Sequence, residues 1–335
     1  MPVSGLRAEI LFLAETAAGD LVRRRAIGAY LGLAVGDALG ATVEFLTPRE
    51  IRNQHREHRD MLGGGWLKLR KGQITDDTEM SLALGRSILR HGRVDAQGAA
   101  EAFSDWMRGK PVDIGNTVRR GIGHYRRTGL TATDENEFDA GNGACMRCLP
   151  VALATVGSDA EDVDLANQRQ AHVTHNNPVS DAGTLCVIRM VQAALLGGDK
   201  KALKLLAEGL VAEESDFAYD RKRAENPSGY IVDTLRAVFQ ALFATDSFEA
   251  ALIDVVNRGG DADTTGAILG MIAGALYGPN ALPPRWVRHL DREVRLECLT
   301  QAQDLLRLSP LCAAGGTPPE TRLGATPRLP WLREP

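Results

Sequence analysis

Cysteine is scarce in this chain: Cys145, Cys148, Cys186, Cys298 and Cys312 are the only five in 335 residues. So few and such scattered thiols exclude a disulfide framework and fit a reducing compartment. Cys145-x-x-Cys148 has the spacing of half a zinc site, but no second pair and no nearby His-x-x-x-His completes it, and the Met146-Arg147 filling suits helix packing instead. Aromatic residues make up only 5% of the chain while glycine contributes 35 residues, so small side chains must carry much of the packing. Positive charge is not in excess either: the net charge is −4, with no basic stripe to track a phosphate backbone, which makes nucleic acid a poor partner. Long apolar runs are missing too. Residues Met1 to Asp20 hold only a short one, Ile10–Ala14, flanked by Glu9 and Glu15 and lacking the basic region of a secretory signal. A cytoplasmic protein with no intrinsic membrane span is expected.

What is present is helical periodicity. No series of alternating apolar and polar runs bounded by turns reads as a sheet, so the expected fold is all-α. Gly28, Gly32, Gly36 and Gly40 recur every four residues, which places them on one stripe of a helix and lets another backbone approach closely. Asp37 within that stretch argues against a membrane span. Gly266, Gly270 and Gly274 form a second stripe among Ile268, Leu269, Met271 and Ile272, so two central helices are expected. Further helices are expected around Met80–Leu89, Ala144–Ala154, Ala182–Leu196, Ile231–Phe243 and Phe248–Val256. Residues 1–311 are read as one domain and residues 312–335, rich in Pro and Gly, as a flexible tail.

Two acidic motifs carry the strongest chemical signal. Thr75-Asp76-Asp77-Thr78 precedes one apolar helix and Gly259-Gly260-Asp261-Ala262-Asp263-Thr264 precedes another. Thr and Asp are good N-caps, so capping explains either motif alone. One cap needs one side chain, however, and the two starts together carry four aspartates and three threonines. The excess carboxylate calls for a cation. Oxygen donors without cysteine or clustered histidine suit Mg²⁺ or Mn²⁺ better than Zn²⁺, and four aspartates could bridge two ions. Glu44, in the otherwise apolar Gly36-Asp-Ala-Leu-Gly-Ala-Thr-Val-Glu44, could complete the shell or be a surface carboxylate, while Asp37 is expected to make a buried helix contact outside the site. Gly141-Asn142-Gly143-Ala144 is expected to open the helix carrying Met146 to Ala154, where backbone N–H groups could face a phosphate or merely form a turn. Asp113-Ile-Gly-Asn116 and Thr174-His175-Asn176-Asn177-Pro178 read as polar loop-to-helix junctions.

Taken in order from about Ala26 to Gly278, these segments, with Ser228-Gly-Tyr-Ile-Val-Asp233, resemble the ADP-ribosylglycohydrolase family. The Asp113–Asn116 and His175 segments lean toward its nitrogen-fixation members. The resemblance implies an orthogonal helical bundle with two Mn²⁺ or Mg²⁺ ions at the base of a cleft. It assigns Glu44, Thr75, Asp76, Asp77, Asp261, Asp263 and Thr264 to the metal shell, the diphosphate to Gly141, Asn142, Gly143 and Ala144, and ligand contacts to Asn116 and His175. Tyr230 would stack on the adenine or be an ordinary core tyrosine. Glu137 and Asp139 would face the cleft mouth, where negative charge suits a guanidinium. The implied reaction is hydrolysis of an N-glycosidic bond between ribose and an arginine guanidinium, with the ions orienting the ribose and acidifying a water. Asp113 is the expected acid/base, with Glu44 second. The implied target is ADP-ribosylated protein, the iron protein of nitrogenase in particular, with a PII-class regulator drawing the enzyme to the membrane. Hydrolysis of an O-linked serine or other ADP-ribose conjugate, or ADP-ribose binding without turnover, are the rival readings.

Overall fold

The two glycine stripes face each other. In a computed structural model that describes residues 17–313, the helices that carry them run antiparallel, with Gly28 against Gly274, Gly32 against Gly270, Gly36 against Gly266 and Gly40 against Ala262. A Cβ on Gly36 would lie 1.9 Å from the Gly266 carbonyl oxygen, so only hydrogen fits there. Each helical glycine costs about 1 kcal/mol relative to alanine. Close backbone contact along the whole seam offsets that cost with dispersion attraction.

Fifteen α-helices and three short 3₁₀ turns make up the described chain, which contains no strand. They are α1 (Ala17–Gly40), α2 (Pro48–His55), α3 (Asp76–His91), α4 (Ala96–Arg108) and α5 (Asn116–Thr128). Next come α6 (Leu149–Ala154), α7 (Ala160–Ala171), α8 (Pro178–Leu195), α9 (Lys200–Glu213) and α10 (Ile231–Ala244). The last are α11 (Phe248–Val256), α12 (Ala262–Tyr277), α13 (Pro284–Val287), α14 (Arg292–Leu308) and α15 (Pro310–Ala313). The all-α expectation holds.

Helix α1 is buried on every side from Ala26 onward, which is why its apolar residues form no single stripe. It packs along α12 and also against α14, α8 and α3, so the two glycine helices are the axis of the core. Helix α8 starts as its sequence dictates: Asn177 accepts from the Val179 and Ser180 N–H groups, and Pro178 occupies the first turn, where its missing N–H costs nothing. One expected helix is shorter than its pattern. Residues 143–147 form turns and α6 begins only at Leu149, because Pro150 has no N–H to continue a helix from the preceding turn and is tolerated only in a helix's first turn. Helix α15 crosses the boundary expected at 311, with Leu311 buried and its N–H on the Val156 carbonyl. The rest of the expected tail, residues 314–335, lies outside the described residues.

Candidate active site

The antiparallel glycine seam ends where the acidic motifs begin. Because Gly40 abuts Ala262 and the Cα of Asp263, the chain leaving α1 emerges beside the N-terminus of α12. Two backbone hydrogen bonds pin it there, Phe45 N–H to Gly260 O at 2.7 Å and Gly260 N–H to Leu46 O at 3.0 Å. Gly259 and Gly260 adopt φ of 71° and 64°, and a Cβ on either would come within 2.1 Å of a backbone oxygen, so glycine is required at both. Glu44 is thereby held against Asp261 and Asp263. Carboxylate oxygens of the three lie within 4.8 Å of one another.

The aspartates are not consumed in capping. Thr75 and Asp261 occupy the N-cap positions of α3 and α12, and neither side chain caps its helix. At α3 the task falls to Asp37, fully buried on α1. Its carboxylate accepts from the Thr75 N–H at 3.0 Å, the Thr75 hydroxyl at 2.9 Å, the Thr78 N–H at 3.1 Å and the Thr78 hydroxyl at 2.5 Å. Asp37 thus makes the buried helix contact expected of it and, through that contact, frees Asp76 and Asp77. Both are buried, as are Thr75, Asp263 and Thr264, with Asp261 half-buried.

So many buried carboxylates disfavour one another's charge. Burial, less the hydrogen bond from Trp66 and aided by Asp261 and Asp113, pushes Glu44 up to about 8. Asp76, Asp77 and Asp263 are raised well above the usual carboxylate range, first by burial and then by neighbouring carboxylates. Asp77 Oδ1 is buried without a hydrogen-bond partner. An orphaned acceptor among mutually repelling oxygen donors fits a hard divalent cation, for which Asp and Thr oxygens are suitable ligands. The cysteines offer no competing site. Cys145 and Cys148 are buried in the core, and the one group of three metal-ligating side chains among the described residues is Glu44, Asp261 and Asp263.

A cleft of about 560 Å³ opens over the cluster. Asp76, Asp261, Asp263, Thr264 and Glu44 line one part of it, residues 113–119 a side, and Gly141, Asn142, Gly143, Met146, His175 and Gly229 another part. Asp113 is half-buried and accepts only the Ile114 N–H, at 2.8 Å, while Asn116 is exposed at the start of α5. Buried His175 is held by Thr174 Oγ1 at 2.7 Å from its Nδ1, and burial together with Arg147 and Arg120 lowers its pKa well below normal, so it is neutral. A Cβ on Gly141 or Gly143 would lie 2.9 or 2.7 Å from the imidazole, so these glycines leave room beside it.

Several expected contacts are placed differently. The Asn142 N–H is spent on Gly229 O at 2.9 Å and its side chain donates to Asp261 Oδ2 at 2.6 Å and to Thr234 Oγ1 at 2.9 Å. It therefore orients an acidic residue rather than presenting its own N–H to a phosphate. Glu137 is exposed and Asp139 is buried in an ion pair with Arg120, and neither lines the cleft. The turn itself is exposed, but its last residue points inward, where a buried carboxylate beside an arginine pairs with it rather than facing solvent. Ala144 is buried, also outside the cleft lining. Tyr230 is 40% exposed and bridges backbone with Gly141, which removes the core-tyrosine alternative. Two contributors carry no sequence motif: buried Arg147, which donates to Thr174 Oγ1 at 2.8 Å behind His175, and Trp66, whose Nε1–H donates to Glu44 Oε2 at 2.6 Å.

Comparison with known proteins adds to this geometry. The ADP-ribosylglycohydrolase family model matches residues 18–314. The chain is 51% identical over 293 residues, 88% of its own length and 99% of the other, to ADP-ribosyl-[dinitrogen reductase] glycohydrolase of Rhodospirillum rubrum. It is 34% identical over 300 residues, 83% of this chain and 77% of the relative, to the ADP-ribosylarginine hydrolase Tri1 of Pseudomonas putida. A solved structure described as an ADP-ribosylglycohydrolase-related protein complex superposes with a TM-score of 0.75 at 35% identity, covering 86% of this chain and 99% of that one. With a family match across nearly all described residues and the acidic helix starts gathered under one cleft, the chain belongs to the ADP-ribosylglycohydrolase family.

Proposed function

We propose that this protein is a metal-dependent glycohydrolase that removes ADP-ribose from an arginine side chain of another protein, with the iron protein of nitrogenase as its target. The observation that carries the reading is the convergence of Glu44, Asp261 and Asp263 within 4.8 Å at the wall of a cleft of about 560 Å³. The activities for which the Rhodospirillum and Pseudomonas relatives are named support the bond and the target.

Glu44, Thr75, Asp76, Asp77, Asp261, Asp263 and Thr264 would hold two Mn²⁺ or Mg²⁺ ions. Bound there, divalent ions supply positive charge that orients ribose hydroxyls and makes water more acidic. The chain's own groups do the rest. Gly141 and Gly143, lacking side chains, admit the diphosphate beside neutral His175, which can accept or donate a hydrogen bond without adding charge. Asn116, on the cleft wall, would contact the ribose, and Tyr230, outside the lining but bridged through its backbone to Gly141, would offer its exposed ring to the adenine. Asp113, bound only to its neighbour's N–H, takes a proton from the attacking water as oxygen bonds to the anomeric carbon. The carbon–nitrogen bond breaks through an oxocarbenium-like state, and the departing guanidine nitrogen takes up that proton.

The described residues would serve as one catalytic domain, in line with a family match over residues 18–314. No helix among the described residues is long and apolar enough to cross a membrane, and a PII-class protein is the partner we propose for recruitment there. The deciding experiment measures ADP-ribose release from ADP-ribosylated nitrogenase iron protein and from a serine-linked conjugate, after chelation and after adding Mn²⁺. Release from arginine only with metal is expected. Release from serine alone, or full turnover after exhaustive chelation, would overturn the assignment.

A further inference from the structure

Two large aromatic side chains stand uncovered where the cleft meets Glu44. Phe45 is 62% and Trp66 52% exposed, both line the cleft, and their ring centroids lie 5.4 Å apart at 47°. In a chain with so few aromatics, leaving two in water costs apolar burial that the core could have used. Backbone geometry holds them there, strained at Phe45 and glycine-built before Trp66. Phe45 sits at φ 62°, a conformation unfavourable to any side chain, fixed by its N–H bond to Gly260 O. Trp66 follows Gly63, Gly64 and Gly65, all at positive φ, on a short turn closed by the mutual Gly64 and Leu69 hydrogen bonds. Strain kept at a cleft points to function.

We infer that Phe45 and Trp66 form the subsite for the leaving group, a platform that receives the planar guanidinium of the modified arginine. This rests on the reading of the cleft as an ADP-ribosyl-arginine site. A ligand whose diphosphate lies by Gly141 and Gly143 carries its scissile bond toward the carboxylates, so whatever lies beyond the anomeric carbon continues past Glu44. The first surfaces there are these two rings. Aromatic faces beside carboxylates attract cations, and a flat delocalised guanidinium stacks on them better than a tetrahedral ammonium does. Trp66 has a second duty: its Nε1–H fixes Glu44, so the platform and the acidic cluster are set by one side chain.

The test uses the full chain with Mn²⁺ and compares Phe45→Leu, Phe45→Ala and Trp66→Phe with the parent. Phe45→Leu keeps apolar bulk and removes the π face. It should raise KM for an ADP-ribosyl-arginine substrate, and the inhibition constant of agmatine, by roughly three- to thirtyfold. Its ADP-ribose affinity by calorimetry, for a ligand that lacks the guanidinium, should stay within about twofold, and butylamine should bind the parent more weakly than agmatine. Trp66→Phe keeps a ring but loses the bond to Glu44, so kcat should fall more than KM rises. If KM and the agmatine constant of both Phe45 variants match the parent, or if ADP-ribose affinity falls in step with them, no leaving-group platform exists. If the parent itself releases nothing from arginine, the functional reading fails instead, and agmatine binding in the presence of ADP-ribose still decides whether the rings form a guanidinium site.

Discussion

Removing the metal should make this protein less stable as pH rises, the reverse of what most carboxylate-rich proteins do. Burial lifts Glu44 from 4.5 to about 8 and Asp37 from 3.8 to about 6, and raises Asp76, Asp77 and Asp263 as well. In the unfolded chain these groups ionise near pH 4, so between about pH 4 and pH 8 the folded, metal-free form binds more protons than the unfolded one. Stability is then present in full below the unfolded pKa and is lost as pH climbs through the folded one. At about 1.4 kcal/mol per tenfold change in acidity, Glu44 alone represents about 5 kcal/mol in a rigid site. Water entering the ionised cleft raises the effective dielectric to about 20 and the clustered groups share their protons, so we expect a net loss of about 3 kcal/mol from pH 5 to pH 8.

At roughly 2–4 °C per kcal/mol, the chelated protein should melt about 6–12 °C lower at pH 8 than at pH 5. Mn²⁺ binds the deprotonated cluster of the native state only, so at about 100 times its Kd it should restore about 2.7 kcal/mol, and more at pH 8 than at pH 5. Calorimetric melts across this pH range, in chelator and in Mn²⁺, test both. A flat or rising profile in chelator, or a metal effect that is independent of pH, would refute the view that these carboxylates are gathered for a cation.

Asp37→Ala strands two N–H groups and two hydroxyls at the start of α3, and at about 1–3 kcal/mol for a buried group left unpaired it should cost at least 3 kcal/mol and weaken Mn²⁺ binding, both read by denaturant titration and calorimetry. Gly36→Ala places a Cβ 1.9 Å from Gly266 O, and overpacking of this kind costs about 1–3 kcal/mol or more; a melting temperature within a degree of the parent would mean the seam can open freely. Asp113→Asn should lower single-turnover release by about 10²–10⁴-fold while leaving ADP-ribose affinity intact, whereas Asp263→Ala should weaken metal binding, ADP-ribose binding and turnover together.

The fold was legible because its main seam is built from spacing. Gly28 to Gly40 and Gly266 to Gly274 announce two helices in backbone contact, and contact of that kind leaves almost no freedom in register. Given the register, Glu44 must fall beside Asp261 and Asp263. What could not be read are contacts whose partners lie far apart in sequence and obey no period. The Thr75 start looked like a self-capping motif, yet its cap arrives from Asp37, 38 residues earlier. Trp66 reaches Glu44 across 22 residues from a glycine turn with no chemical signature of its own. Asp139 looked like a free carboxylate at a cleft mouth because Arg120, which claims it, sits on a different helix.

The choice between capping and ligation at the two acidic starts was therefore undecidable from the motifs themselves and is decided by a third residue. A helix N-terminus needs its first N–H groups satisfied, and in most helices an Asp or Thr side chain at the N-cap is used up in doing so. Supplying the acceptor from α1 removes that demand, so Asp76 and Asp77 are not used up on the helix N–H groups and keep only the Gly115 N–H and hydroxyl contacts. With few hydrogen bonds of their own, buried carboxylates in that position favour the protonated form, which is the direction in which burial and their neighbours push both, or a cation beside them. A protein that merely needed a stable helix start would gain nothing from the arrangement. By freeing both aspartates at the expense of one buried Asp37, the fold gives up stability near neutral pH in exchange for charge density at the floor of the cleft.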